Sequence, residues 1–232
     1  MKRVGLALSG GIARGPAHLG VLAVLEREGV PIDCLAGVSA GSVVGALYCA
    51  GVTLAELGEL LPELGWRLLV NPVWPQRGFV SFDRLEDWLI DLIGDPYFAQ
   101  LRRPLAVVAT DVETREPVLF RTGRVVRAVH ASSAVPGLVT PVEIEGRWYA
   151  DGGATNNLPA AAARRLGPGL GVLENYVRRS GGGLEAADVL ISPDLSRASY
   201  FRFDRRAELM AMTLGVRAAE ARLPQILAAL EE

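Results

Sequence analysis

Lysine is almost missing from this chain. Of 24 basic residues only Lys2 is a lysine and the other 23 are arginine. A serine–lysine catalytic pair would therefore have to recruit the second residue, where chains fray. Histidine is nearly as scarce, with His18 and His130 the only two, and no histidine follows residue 130 to serve a late carboxylate. The two cysteines, Cys34 and Cys49, lie in apolar runs, where small buried thiols are expected; this predicts no disulfide and a reducing compartment. Charge is sparse as well, at 22% of residues and a net −2 at pH 7. There is no basic stripe of the kind a nucleic-acid binder carries, and no electrostatic reason to dock on anionic membranes.

A membrane span is the next absence. Leu35 to Ala55 is uncharged over the ~20 residues a span requires, but Gly37, Gly41, Gly45 and Gly51 interrupt it and Ser39 and Ser42 lie inside. A buried strand followed by a helix is the better reading. The first residues run directly into Arg3-Val4-Gly5-Leu6-Ala7-Leu8-Ser9, too short and too polar at the start for a signal peptide.

What the chain does have is apolar residues in alternating patterns. Half of its 232 residues are hydrophobic, enough for one large domain with a sizeable core. Val4 to Ser9 reads as a buried strand, a glycine-rich turn follows, and His18 to Glu28 has helical spacing. The unit repeats as strand Ile32 to Val38, turn at Ser39, and helix Ser42 to Cys49 closed by Gly51. A helix is predicted from Asp83, capped there with Glu86 in its first turn, then strands Leu105–Asp111 and Pro117–Arg121, and a helix Arg124–Ser132. A short strand Arg147–Ala150 precedes Asp151-Gly152-Gly153, and Pro159–Leu166 is helical. Such alternation predicts an α/β fold with a mainly parallel central sheet. We expect a single domain over 1–232: a core at 3–166, a glycine-rich surface connection at 167–187, and a strand and long helix at 188–232 interrupted near Pro224.

Gly37-Val38-Ser39-Ala40-Gly41 matches G-x-S-x-G and stands between a strand and a helix, the context in which a tight turn lifts a serine oxygen clear of both elements. A serine nucleophile needs a base. The order Ser, Asp, His fails because no histidine follows Asp151, and Asp, His, Ser39 fails because no aspartate precedes His18. Both histidines are read as packing residues inside helices. A carboxylate acting on serine directly remains, and Asp151 is the candidate, ending a strand with two glycines behind it. Ser9-Gly10-Gly11-Ile12-Ala13-Arg14-Gly15 can supply backbone N–H groups for an oxyanion. As a phosphate cradle it lacks the lysine and hydroxyl of a Walker A loop.

Taken in order, S-G-G-x-A-R-G, G-V-S-A-G and D-G-G resemble the bacterial patatin-like phospholipases. The likeness spans residues 3 to about 166, including Ala131–Gly137 and Asn156-Asn157-Leu158-Pro159, and resumes at Ala187–Ser196. It implies a three-layer α/β/α fold, a catalytic dyad of Ser39 and Asp151, and an oxyanion hole from Gly10, Gly11, Ile12, Ala13 and Arg14. Gly15, Gly37, Gly41, Gly152 and Gly153 are then motif glycines. Hydrolysis of acyl esters of phospholipase A or lysophospholipase type is implied, without metal or other cofactor, in a cytoplasmic bacterial protein. Acyl transfer or thioester hydrolysis by the same dyad, and a weakly catalytic binding or regulatory module, are the alternatives.

Two departures from the family pattern carry expectations of their own. Ile12 stands where relatives have a third glycine; because a β-branched residue resists positive φ, φ below zero and a narrowed pocket beside Ser39 are predicted. The 167–187 stretch is shorter than in many relatives, which leaves an acyl-pocket wall to be supplied otherwise. Asp151 is expected to be ionised near the ordinary ~3.9 of an aspartate, and Arg14 to order the loop. Trp66, Leu68, Leu69, Pro72, Val73, Trp74, Pro75 and Phe79 form an apolar segment that suits either a lid touching lipid surfaces or a packed loop. Tyr200-Phe201-Arg202-Phe203 reads as core.

Overall fold

The computed structural model describes residues 3–60, 65, 70–73, 78–166, 170–174 and 187–231. In chain order the elements are β1 (Val4–Leu8), α1 (Pro16–Arg27), β2 (Cys34–Gly37), α2 (Ala40–Ala50), α3 (Leu54–Leu60), β3 (Asn71–Pro72), β4 (Val80–Ser81) and α4 (Asp83–Ile93). There follow β5 (Leu105–Asp111), β6 (Pro117–Phe120), α5 (Val125–Ser133), β7 (Val142–Ile144), β8 (Arg147–Asp151), α6 (Ala160–Leu166), β9 (Leu170–Glu174), β10 (Val189–Ile191) and α7 (Arg205–Glu231).

The central sheet has the order β10-β9-β1-β2-β5-β8-β7, with β6 also paired to β5. It is parallel from β10 through β5 and antiparallel beyond. Side chains alternate across it with the period of a strand. Val4, Leu6, Leu8, Leu35, Leu105, Val107 and Ala109 join the larger core, which α1, α2, α4, α5 and α7 cover. Ala7, Ala36, Ala106 and Val108 face the other way, onto Ala160, Ala162 and Ala163 of α6. The small residues on that face let α6 lie close to the sheet. Helices on both faces make three layers, as expected.

Local sequence sets the element ends. Pro16 opens α1, where a missing N–H costs nothing, and Gly51, at φ 104°, closes α2 in the left-handed cap expected of it. α1 and α7 cross at two glycines: a Cβ on Gly20 would lie 2.1 Å from the Met212 carbonyl oxygen, and one on Gly215 would lie 2.1 Å from that of Ala17.

Three expectations need correction. The 167–187 stretch is not wholly a surface connection, because Leu170–Glu174 forms β9 and pairs with β1 and β10 inside the sheet; residues 167–169 and 175–186 lie outside the described residues. Glycine content masked a strand whose pairing is entirely long-range. Helix α7 is not interrupted at Pro224 but runs from Arg205 to Glu231. Ala219 and Ile226, buried on either side of the proline, hold both halves to the core and outweigh the lost backbone bond. Asp83 is not the cap of α4; Phe82 occupies that position, and the Ser81 hydroxyl accepts the Asp83 N–H at 3.0 Å. Glu86 is instead drawn to Arg127 and His130.

Of the apolar segment before α4, Trp66, Leu68, Leu69, Trp74 and Pro75 lie outside the described residues. Its described part forms the β3–β4 ribbon, with Phe79 63% exposed.

Candidate active site

β2 ends at Gly37, and α2 begins three residues later at Ala40. Ser39, between them, has φ 50° and ψ −123°, a conformation that costs an L-residue on the order of 1–3 kcal/mol. Its surroundings over-determine it. The Ser39 N–H donates to Ser132 Oγ at 2.9 Å, and that hydroxyl donates to the Val108 carbonyl at 2.6 Å. The Ser39 carbonyl accepts the Ser42 hydroxyl at 2.6 Å and the Ser42 N–H at 2.8 Å. Gly41 makes the turn possible, since a Cβ there would lie 2.3 Å from the Leu8 carbonyl oxygen.

Asp151 reaches the same point from the opposite direction. β2 runs parallel to β5 and its Gly37 pairs with Val107; β8 runs antiparallel and its last residue, Asp151, pairs with Ala109. Because β6 takes the other edge of β5 along Val107–Thr110, β2 and β8 share one edge and meet head-on. One residue of β5, Val108, separates their ends, which brings Ser39 to Asp151. The Ser39 hydroxyl lies near enough to the Asp151 carboxyl to lower its pKa, and Asp151 Oδ1 accepts the Gly153 N–H at 2.7 Å. The Asp151 N–H donates to the Ala134 carbonyl at 2.8 Å, and Thr110 Oγ1 donates to the Asp151 carbonyl at 2.9 Å. A Cβ on Gly152 would come within 2.2 Å of the Val108 carbonyl oxygen, so the turn after Asp151 admits only glycine there.

Both side chains are buried. Burial raises the Asp151 carboxyl to about 6, against the lowering effects of the Gly153 N–H and the Ser39 hydroxyl. The expectation of an ordinary aspartate pKa is thereby corrected, though not that of ionisation at neutral pH: desolvation outweighs the lowering effects of Gly153 and Ser39.

The histidines are occupied elsewhere. His18 is fully buried against the Ser9 carbonyl, 2.9 Å from its Nε2, and burial lowers its pKa to about 4. His130 Nδ1 lies 2.6 Å from a Glu86 oxygen, and its Nε2 has no partner among the described residues.

The glycine loop lies against this pair, since a Cβ on Gly10 would sit 3.0 Å from Ser39 Cβ. The Gly10 N–H donates to Asn157 Oδ1 at 3.2 Å. The Ala13 N–H donates to the Tyr200 carbonyl at 3.1 Å, Arg14 N–H to Gly11 O at 3.1 Å, and Gly15 N–H to Ile12 O at 3.2 Å. Gly11 and Ile12 are left with N–H groups that donate to nothing among the described residues. Arg14 is buried, with Nε 3.0 Å from the Ala198 carbonyl and its guanidinium 3.5 Å from the centre of the Tyr200 ring. It orders the loop as expected, by tying it to the 198–200 segment.

Ile12 contradicts its expectation outright, with φ 51°. The bonds from Ala13, Arg14 and Gly15 fix the turn on its C-terminal side, and the loop imposes a glycine conformation on isoleucine. Tyr200-Phe201-Arg202-Phe203 is core only in part: Phe201 is 60% exposed and Tyr200 is held by Arg14, while Phe203 packs against the core and lines a cavity beside Ser39.

That cavity has a volume of about 80 Å3 and is walled by Ile12, Val43, Phe82, Leu85, Leu138 and Phe203, among others. Its lining is almost wholly apolar, and Glu208 is the one charged residue in it among the described residues. No cluster of three or more metal-ligating side chains occurs among the described residues.

The structure thus brings together Ser39, Asp151 and the loop Gly10–Gly15. Sequence reasoning did not single out Ser132, Asn157 or Glu208. Ser132 and Asn157 fall inside short motifs that were noted for their resemblance alone, while nothing local marks Glu208.

A strained serine between a parallel strand and a helix, set beside a buried aspartate, defines a class of serine hydrolase-like sites that dispense with histidine. Residues 6–164 match the patatin-like phospholipase family, and the chain belongs to it. An uncharacterized NTE family protein of Mycobacterium tuberculosis is 38% identical over 162 residues, 68% of this chain and 45% of that protein. Lysophospholipase NTE1 of Saccharomyces cerevisiae is 31% identical over 170 residues, 71% of this chain and 10% of that protein. The chain therefore spans less than half the length of these curated relatives. Among solved structures, VipD from Legionella pneumophila superposes with a TM-score of 0.65 at 14% identity, covering 97% of this chain and 67% of that one. ExoU of Pseudomonas aeruginosa, in its complex with SpcU, gives 0.60 at 18% identity, covering 99% and 52%; these likenesses concern the fold.

Proposed function

We propose that this protein is a lipid acyl-ester hydrolase of phospholipase A or lysophospholipase type, with Ser39 as nucleophile and Asp151 as its base. The meeting of the buried Ser39 and Asp151 side chains at the facing ends of β2 and β8, close enough for the hydroxyl to lower the carboxyl pKa, carries the reading. Ser39 Oγ attacks the ester carbonyl carbon while Asp151 takes its proton. The N–H groups of Gly11 and Ile12, which donate to nothing among the described residues, receive the oxyanion, the interaction that contributes most in acyl transfer. Collapse breaks the bond to the alcohol, which leaves with the proton from Asp151. A water then gives its proton to Asp151 and attacks the acyl-serine, and the fatty acid departs as Ser39 is reprotonated.

Burial supports this role, because a carboxylate raised to about 6 is a stronger base than an exposed one and is still ionised at neutral pH. The apolar cavity suits an acyl chain. Membership of the family and the likeness to a protein named lysophospholipase favour a lipid ester. Phe79 and Phe201 are exposed and flank Leu138 through the Phe79 N–H bond to its carbonyl and a shared groove, which supports transient contact with a lipid surface. No described helix is long and apolar enough to cross a membrane. Buried free Cys34 and Cys49 fit a cytoplasmic location.

A fluorophosphonate probe should label the protein at Ser39 and fail on Ser39→Ala, while Asp151→Asn should lose turnover of p-nitrophenyl esters. Labelling that survived Ser39→Ala would refute the assignment.

A further inference from the structure

Glu208 sits in the first turn of α7, is 6% exposed, and contributes to the wall of the cavity beside Ser39. Neither of its carboxyl oxygens has a hydrogen-bond partner among the described residues. Buried polar groups are nearly always satisfied, and one that is not calls for an explanation. An apolar side chain would fit this lining at no such cost. The other walls offer it little: they are apolar apart from the hydroxyls of Ser39 and Ser133, neither of which bonds Glu208. A ligand that enters the cavity can supply what the described residues do not.

Chemistry narrows the ligand. Burial and the neighbouring Asp204 push the Glu208 carboxyl upward, with Arg205 acting against them; the helix N-terminus also favours the anion. A hydroxyl can satisfy the group in either state, donating to a carboxylate or accepting from a carboxylic acid. An ammonium ion would require the charged form alone.

We propose that Glu208 is a specificity residue of this cavity, whose carboxyl hydrogen-bonds a hydroxyl group on the ester substrate. The proposal rests on the hydrolase reading above. The hydroxyl has two possible sources: the alcohol part, as in a monoacyl glycerol ester with a free neighbouring hydroxyl, or a hydroxylated acyl chain. Glu208 takes no part in bond making, and its effect is on which ester is preferred.

The test compares kcat/KM for two matched pairs. One is a monoacyl glycerophosphocholine with its neighbouring hydroxyl free or methylated; the other is a set of p-nitrophenyl esters with plain or hydroxylated acyl chains. The wild type should favour the free hydroxyl in one pair by about tenfold or more, and the pair that shows it identifies the source. Glu208→Gln, which can still hydrogen-bond, should keep most of that ratio. Glu208→Leu should abolish it, raise turnover of the plain esters, and melt higher than the wild type because an unsatisfied buried group is gone. No preference in the wild type, or a preference untouched by Glu208→Leu, overturns the proposal. Equal loss in Glu208→Gln and Glu208→Leu overturns it too, in favour of charge recognition. A wild type inactive on plain p-nitrophenyl esters would instead sink the hydrolase reading.

Discussion

Replacing Asp151 by asparagine removes a charge at nearly constant shape, and its effects on stability and activity should run in opposite directions. Burial moves the carboxyl from the ordinary 3.8 to about 6 in the folded protein. At about 1.4 kcal/mol per pH unit, ionising it there costs the fold ~3 kcal/mol at neutral pH. The sign follows from proton counts. Between 3.8 and about 6 the native state binds more protons than the unfolded chain, so this contribution is fully favourable below the window, is lost as pH rises through it, and stays lost above. Asparagine never ionises, and its Oδ1 can still accept the Gly153 N–H.

Urea unfolding of both proteins at a series of pH values measures the difference directly, since every other titrating group cancels between them. At about pH 4 the variant and the wild type should be close in stability; near pH 7.5 the variant should be more stable by up to ~3 kcal/mol. The same variant should lose roughly 100- to 10,000-fold in kcat/KM, the usual contribution of a general base. The wild-type kcat/KM should rise with pH and level off above about 6. A stability difference that stayed flat across the window, or that favoured aspartate at neutral pH, would refute the claim that burial sets the basicity of Asp151.

Ile12→Gly should relieve the positive φ and remove a side chain from the cavity wall, shifting preference toward bulkier acyl groups in an ester series. Its melting temperature should move little, because strain relief of ~1–3 kcal/mol is offset by glycine entropy and lost apolar burial; unchanged rate and preference would show the isoleucine to be passive. Asn157→Ala unties the Gly10 N–H from its brace, and kcat should fall about tenfold or more with KM nearly constant, since only the oxyanion geometry loosens. Gly20→Ala sets a methyl where the Met212 carbonyl lies 2.1 Å away, and thermal unfolding should report a loss of ~1–3 kcal/mol; a neutral result would mean that α1 and α7 do not cross there.

What could be read from the sequence was local. The β1 and β2 runs, the Ser39 turn, and Gly51 as the close of α2 each depend on residues within a few positions, and each is where expected. β9 could not be read, because its strand character comes from pairing with β1 and β10, remote in sequence, amid glycines that suggest a loop. The φ of Ile12 went the same way. Its β-branched side chain argues for negative φ, but the turn is fixed by Arg14 and Ala13 bonding to residues 198 and 200. Asp151 was found by elimination, while its raised basicity is a property of the assembled interior.

Four groups around one cleft go against the preferences of their own chemistry. Ser39 and Ile12 hold positive φ, Asp151 is a carboxyl desolvated beside Ser39, and Glu208 is buried with no partner among the described residues. Such conformations persist only where the surroundings leave no alternative, and here that constraint is visible. Ser132 and Ser42 grip the backbone of Ser39 from both sides, and the Ala134 and Thr110 bonds fix Asp151. Elsewhere the sheet sets large residues on one face and small ones on the other. In a triad the histidine gives the basicity and the carboxylate orients it. In the proposed dyad one carboxylate would do both and its basicity would come from burial, so the same low-dielectric setting that would make Asp151 a usable base also makes it a burden on the fold.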